Sequence, residues 1–286
     1  MKATLILLLL FVTSFHCKAN EIDGLRTFDD VKSFMKKRLR PMKYIDDFFS
    51  ESKAGPVTQF SKNKFIKRDL NSDGLTDLIL NGRYLIVVLD DGHGGYLVRS
   101  IDRGEQTFAL IGLDTLGSQP KVIVERCDKF SQQKPAPTNC DTLVFKFNDF
   151  VEYSNKIDTT LIDEISLSTR RCMGTCPVFE MTIASGGHAT YNAILYNKQK
   201  GIYECEIDST RLNDLFRLTA YLNPRSLKSR YEVGWTDDQT VKLVIIYHNG
   251  FVKEINDYGL LGTFGLKRLY NIFFALRDSQ EWEYVN

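Results

Sequence analysis

The sequence predicts an α+β protein of two domains, each a mostly antiparallel sheet with one or two packed helices. Three observations carry that prediction. From about Phe65 onward, short β-branched runs are separated by Asn-Gly, Asp-Asp-Gly and similar turn signals, the pattern of a strand meander. Beyond a polar stretch the order becomes strands, helix, strands, helix, which suits helices gathered against an antiparallel sheet rather than alternating βαβ units. The length, 286 residues, is more than one core of usual size requires.

The N-terminus reads as an export signal. Met1-Lys2 supplies the charged start and Leu5 to Val12 an unbroken apolar segment, too short to span a bilayer. Cleavage after Ala19 is expected, which assigns residues 1–19 to a signal peptide and the mature chain to a periplasmic or extracellular location. The alternative is a lipoprotein anchored through Cys17, although Ser14 and His16 stand where such signals have an aliphatic and a small residue. No later run reaches the roughly 18 apolar residues of a membrane span, so no transmembrane helix is expected. The balance of 37 Lys and Arg against 36 Asp and Glu, with no basic block, argues against nucleic acid as a partner.

The N-terminal domain is placed at residues 20–155. Thr27 followed by Asp30 reads as a helix cap, and Phe28, Val31, Phe34, Met35 and Leu39 recur at helical spacing. Pro41 interrupts, and Met42 to Phe49 suggests a second short helical piece. The runs DLIL, YLIVVLD, YLVRSI, FALIGL, KVIVER and TLVFKF then read as strands. The polar SNKIDTT marks the boundary, and residues 160–286 form the C-terminal domain. Its strands are IDEISLS, VFEMTIA, HATYNAILY and GIYECEI, followed by a helix from Ser209 that Asn223-Pro224 stops. TVKLVIIY and FVKEINDY, joined through Asn249-Gly250, form a hairpin, and a last helix turns Leu266, Leu269, Tyr270 and Phe273 inward.

In an oxidising compartment the cysteines are expected to pair. Cys127 and Cys140 flank the loop between two strands, and Cys172 and Cys176 are close enough for a local bridge, leaving Cys205 as a buried free thiol. Three residues between Cys172 and Cys176, rather than two, favour a structural bridge over redox exchange.

The stretch DLNSDGLTD places Asp69, Asn71, Asp73 and Asp77 at its first, third, fifth and ninth positions, with Gly74 at the turn and Leu75 able to offer a backbone carbonyl. Alternating oxygen donors about a glycine suit calcium, which takes six to eight oxygens at flexible geometry. An EF-hand would place Glu where Leu80 stands and continue into a helix. The segment instead resembles the calcium loops of FG-GAP and integrin-type repeats, which run directly into a strand such as DLIL. That resemblance implies a structural calcium site. An Asx-rich polar turn is the competing reading.

A second resemblance rests on Cys172-Met-Gly-Thr-Cys176-Pro177-Val178-Phe179, on Thr236-Asp237 and on Glu281-Trp282. From Ile162 to Trp282 the chain is similar to the secreted domain of unknown function 6438, with Phe179 in place of the commoner tyrosine and Arg170 and Arg171 nearer the first cysteine than the family's arginine. The resemblance implies a domain and a compartment, and no reaction.

The three histidines beyond the signal, His93, His188 and His248, are widely spaced and show no zinc pattern, and no Gly-x-Ser-x-Gly elbow is present. Asp90 and Asp91 read as the carboxylates of a polar hairpin loop rather than as an acid–base pair, and Trp235 and Trp282 as packing residues rather than as a sugar platform. No catalytic residue is assigned. The expected function is an exported, non-catalytic binding or envelope-interaction protein, stabilised by disulfides and calcium, with a protein or glycan ligand in the cell envelope. The alternatives are a thiol-disulfide protein using Cys172 and Cys176, and a hydrolase with an unrecognised site.

Overall fold

The computed structural model describes residues 20–39, 63–82, 84–103, 106–115, 119–127 and 140–285. The expected signal peptide with Cys17, and the helical piece expected at Met42 to Phe49, lie outside the described residues. The described chain is α+β, built as two eight-stranded sheets with helices packed against them.

The first sheet is a meander in which every strand pairs antiparallel with the next. Its strands are β1 (Phe65–Arg68), β2 (Asp77–Asn81), β3 (Leu85–Asp90), β4 (Tyr96–Arg103), β5 (Gln106–Asp114), β6 (Lys121–Cys127), β7 (Cys140–Lys146) and β8 (Asp149–Glu152). Helix α1 (Phe28–Arg38) starts where the sequence predicts. Thr27 Oγ1 accepts the Asp30 N–H at 3.1 Å and Asp30 accepts the Thr27 N–H at 2.7 Å, a reciprocal capping box. The N–H groups of Thr27 and Arg26, both donating to it, hold the Asp30 carboxyl below its usual range.

Val31, Phe34 and Met35 of α1 lie on Leu78, Leu80, Ile86 and Val88. The opposite face of the same strands, Ile79, Leu85, Val87 and Leu89, packs with Ile101, Leu110, Val122 and Val124. Strands β2 and β3 are therefore covered on both sides, which is why they read as continuous apolar runs rather than alternating ones.

The second sheet has the order β13-β15-β14-β9-β10-β11-β12-β16. Its strands are β9 (Ile162–Thr169), β10 (Val178–Ala184), β11 (His188–Leu195), β12 (Gly201–Glu206), β13 (Arg230–Glu232), β14 (Thr240–Tyr247), β15 (Val252–Tyr258) and β16 (Glu283–Tyr284). Along β14 every second residue is buried, as expected of an antiparallel strand with one covered face. That face packs under α2 (Ser209–Leu222) and α3 (Phe264–Ser279). Asp208 caps α2 by accepting the N–H groups of Thr210 and Arg211, and Asn223, at φ 47°, ends it ahead of Pro224. The β14–β15 hairpin turns at His248-Asn249-Gly250, with Gly250 at φ 79° and its N–H donating to Tyr247 O at 2.8 Å.

Four described strands have no counterpart among the runs named from the sequence: β1, β8, β13 and β16. Strand β8 follows a two-residue turn in which Phe147 and Asn148 both have positive φ, 56° and 61°, the geometry of a type I′ hairpin without its usual glycine. Arginines hold this turn from outside. Arg268 Nε donates to Phe147 O at 2.9 Å, and Arg99 donates to Asn148 O at 3.0 Å from Nε and 2.9 Å from Nη2.

The two sheets share their cores. Val144 and Val151 of the first sheet are buried among the residues of the second, and Phe264 of α3 is buried in the first, with its ring 4.9 Å from that of Phe108.

Candidate functional site

Three places bring polar groups together: the 69–77 loop, the disulfide turn and a cleft between the sheets.

In the loop, Ser72 (φ 63°) and Gly74 (φ 83°) reverse the chain, so that backbone N–H groups point back at the side chains. Asp69 accepts Ser72 N at 2.7 Å and Gly74 N at 3.0 Å. Asp73 accepts Leu75 N at 2.8 Å and the Asn71 amide at 2.8 Å. Asp77, at 0% exposure, points inward and accepts Leu70 N at 2.8 Å and Asp90 N at 3.1 Å. The Asn20 amide clasps the loop from the N-terminal side through Thr76 O at 2.7 Å.

Burial pushes the Asp77 carboxyl up to about 7, against the pull of its two N–H donors, and the nearby charges of Asp73 and Asp69 push in the same direction. The three predicted carboxylates thus sense one another, and none of them makes an ion pair among the described residues. They are not gathered about a common point, and among the described residues no three acidic, histidine or cysteine side chains are so gathered. The donor set nonetheless has the chemistry calcium takes: three carboxylates, the Asn71 amide and the Leu75 carbonyl, each carboxylate oxygen keeping lone pairs beyond the N–H it accepts.

Asp90 and Asp91 serve the neighbouring turn. Asp90 accepts Gly92 N, and Asp91 accepts His93 N and Gly95 N, each at 2.8 Å.

At one end of the second sheet Cys172 and Cys176 form a disulfide with Cα atoms 5.8 Å apart. Gln239 closes the turn from across the sheet, its Nε2 donating to Arg170 O at 3.1 Å and to Pro177 O at 2.7 Å. Thr169 Oγ1 reinforces it by donating to Pro177 O at 2.8 Å and accepting Phe179 N at 3.0 Å. Met173 N donates to Asp237 O at 3.2 Å, so the Thr236-Asp237 stretch abuts the disulfide turn. Trp235 is partly exposed and donates to Asp238, whereas Trp282 packs against Tyr191 at 5.1 Å. The sequence gives Gln239 no distinguishing signal, because its role depends on a partner 69 positions earlier.

Cys205 is a half-buried free thiol, and burial pushes it up to about 11, consistent with an inert packing residue. Cys140 is free and exposed, and it stands opposite Glu125 in the β6–β7 register. The side chain of Cys127, its expected partner, lies outside the described residues.

The third place is a cleft of about 550 Å³ between the sheets, walled by Arg103, Arg126 and Asp141 on one side and by Lys228, Arg230 and Glu232 on the other. Arg103 ties its floor together. Its Nη1 donates to Gly262 O at 2.8 Å, its Nη2 lies 3.5 Å from Asp141, and its guanidinium sits over the rings of Phe108 and Phe264. Burial holds Asp141, Glu152 and Asp257 above the usual carboxylate range, and the Arg103 charge pulls each of them back.

Residues 163–277 match the family model described as a domain of unknown function, DUF6438. The matched stretch runs from β9 into α3 and is less than half of the chain. It includes the disulfide turn, Gln239 and the second-sheet wall of the cleft, and it stops short of Glu281-Trp282. No curated protein and no solved structure matches the chain.

Proposed function

We propose that the protein is an exported, non-catalytic binding protein of the cell envelope, its first sheet fixed by a calcium ion at residues 69–77 and its DUF6438-like segment by the Cys172–Cys176 bridge. The single observation that carries this reading is the state of Asp77: a fully buried carboxyl, pushed up to about 7, in a loop whose three carboxylates have no cation partner among the described residues. A divalent cation would offset the burial of that carboxylate and the lesser push of the Asp73 and Asp69 charges, with the ligands DLNSDGLTD supplies, the side chains of Asp69, Asn71, Asp73 and Asp77 and the carbonyl of Leu75. Its role is to hold the loop that joins β1 to β2.

Export is supported by the apolar Leu5 to Val12 segment and by the local disulfide, a bond that persists in oxidising compartments. The same compartment would bring Cys127 and Cys140 under oxidising conditions, and we include that second bridge in the proposal. The ligand is a protein or glycan of the envelope.

The test is to express the full chain in a cell able to export it, recover it from the exported fraction, and measure its N-terminal residue by mass spectrometry and its bound metal by elemental analysis. A chain starting at Asn20 with about one calcium per molecule is expected. An uncleaved chain in the cytoplasm, or an exported one without calcium after dialysis into calcium buffer, would overturn the reading.

A further inference from the structure

We infer that the cleft between the two sheets is a binding site for a small organic anion carrying carboxylate or phosphate groups. The inference rests on the binding reading only in taking the chain to hold a ligand, and it does not depend on calcium.

Four of the six charged residues on the walls are cations, Arg103, Arg126, Lys228 and Arg230, against Asp141 and Glu232. Asp141 faces Arg103 at 3.5 Å, and Glu232 accepts from Arg230 at 3.0 Å from Nε and 2.8 Å from Nη2. Arg126 has a partner of its own and its charge also acts on Asp141, so the cation left over at the walls is Lys228. The Lys228 ammonium makes no ion pair among the described residues. On the floor, the Arg103 Nε is buried and makes no hydrogen bond, an arrangement that costs free energy unless an acceptor arrives. The volume, about 550 Å³, lies within the range of sites that enclose small metabolites.

The placement of these groups follows from the fold. Arg103 is fixed by Gly262 and by the two aromatic rings, so it presents a pre-positioned charge that loses little freedom on binding. Lys228 and Arg230 stand on and beside β13, the short parallel edge strand next to β15, at the exposed mouth. An anion entering there meets the exposed cations Lys228 and Arg230 first and the mostly buried Arg103 at the bottom. Carboxylate and phosphate both suit a guanidinium fork.

The experiment is isothermal titration of the full chain with citrate and, separately, with inorganic phosphate. Chloride at matched ionic strength is the control, and the series is run once in calcium and once in EDTA. Saturable binding of at least one probe is expected in both buffers. The citrate arm reports a carboxylate ligand and the phosphate arm a phosphorylated one. The double variant K228A/R230A should weaken binding about tenfold or more, because it removes the two cations of the mouth. The variant K198A/K200A removes two cations beside β12, at the far flank of the sheet from β13, and should leave the affinity unchanged. Both pairs are on exposed positions, and circular dichroism confirms that each variant is folded. No saturable binding of either probe, or equal loss in the two double variants, would overturn the inference. A negative calcium titration alongside intact anion binding would instead count against the calcium reading alone.

Discussion

The carboxylate of Glu152, at the last residue of β8, accepts the backbone N–H of Gly265 at 2.9 Å, where α3 begins. Its other oxygen accepts Phe264 N at 2.5 Å. An acid from the first sheet therefore caps a helix of the second, satisfying donors that the helix cannot satisfy itself and placing negative charge at the positive end of its dipole. Lys267 adds to the seam by donating to Asp102 O at 2.8 Å and to its carboxylate at 2.7 Å.

Glu152→Ala should destabilise the protein by about 2 to 3 kcal/mol, since it leaves two N–H groups without an acceptor. The loss should appear in urea denaturation as a lower midpoint at unchanged slope. A change within about 0.5 kcal/mol would mean that the cap contributes nothing to the seam.

Gln239→Ala removes its two hydrogen bonds to the disulfide turn and keeps those of Thr169, and a loss of about 1 to 2 kcal/mol is expected. Cys172→Ser with Cys176→Ser should cost about 2 kcal/mol through chain entropy, the loop being short. If Gln239 positions the turn, the two changes will be less than additive, because each frees the same backbone. Strict additivity in thermal melts would show that they act independently.

The thiols make a separate prediction. Cys205 is held near 11 by burial, so native protein at about pH 8 should alkylate there slowly, and unfolding should release the thiol. Intact mass of the exported protein should show two bridges and one free thiol. Fast labelling of Cys205 in the folded state would contradict its packing, and three free thiols would remove the Cys127–Cys140 bridge.

Much of this was readable beforehand, for identifiable reasons. The box of Thr27 and Asp30, the alternation in TVKLVIIY and the Asn249-Gly250 turn are local, so their chemistry lies within a few residues. Glu152 could not be read in the same way, because an acid at the end of a four-residue strand gains its meaning from an N–H 113 positions away. The Phe147-Asn148 turn was hidden because arginines from two other elements, and not a glycine, support its positive φ. The cleft was hidden too, since Arg103 and Lys228 become neighbours only when the two sheets meet. In the loop the residue types were legible, but the inward turn of Asp77 was not.

Asp77 gives the calcium proposal a pH signature. Its folded value of about 7 exceeds the ordinary 3.8, so the folded state holds the proton more tightly, and the contribution of this group to stability declines as pH rises toward about 7. Calcium needs the ionised carboxylate. The melting shift that calcium produces relative to EDTA should therefore be larger at about pH 8 than at about pH 6, where the proton competes. An equal shift at both values would exclude Asp77 as the titrating ligand.

The most direct test is a calcium titration of the full chain at about pH 8, read by calorimetry and by thermal melting against EDTA. A dissociation constant of about 0.1 to 1 mM is predicted, as for other extracellular calcium modules. At about 2 mM free calcium this stabilises by roughly 0.6 to 2 kcal/mol and raises the melting temperature by a few degrees. Asp73→Ala, in an exposed position, should abolish the shift and leave the fold intact. Identical melting curves in calcium and EDTA, with no heat of binding at millimolar calcium, would contradict the account and leave DLNSDGLTD as a polar turn.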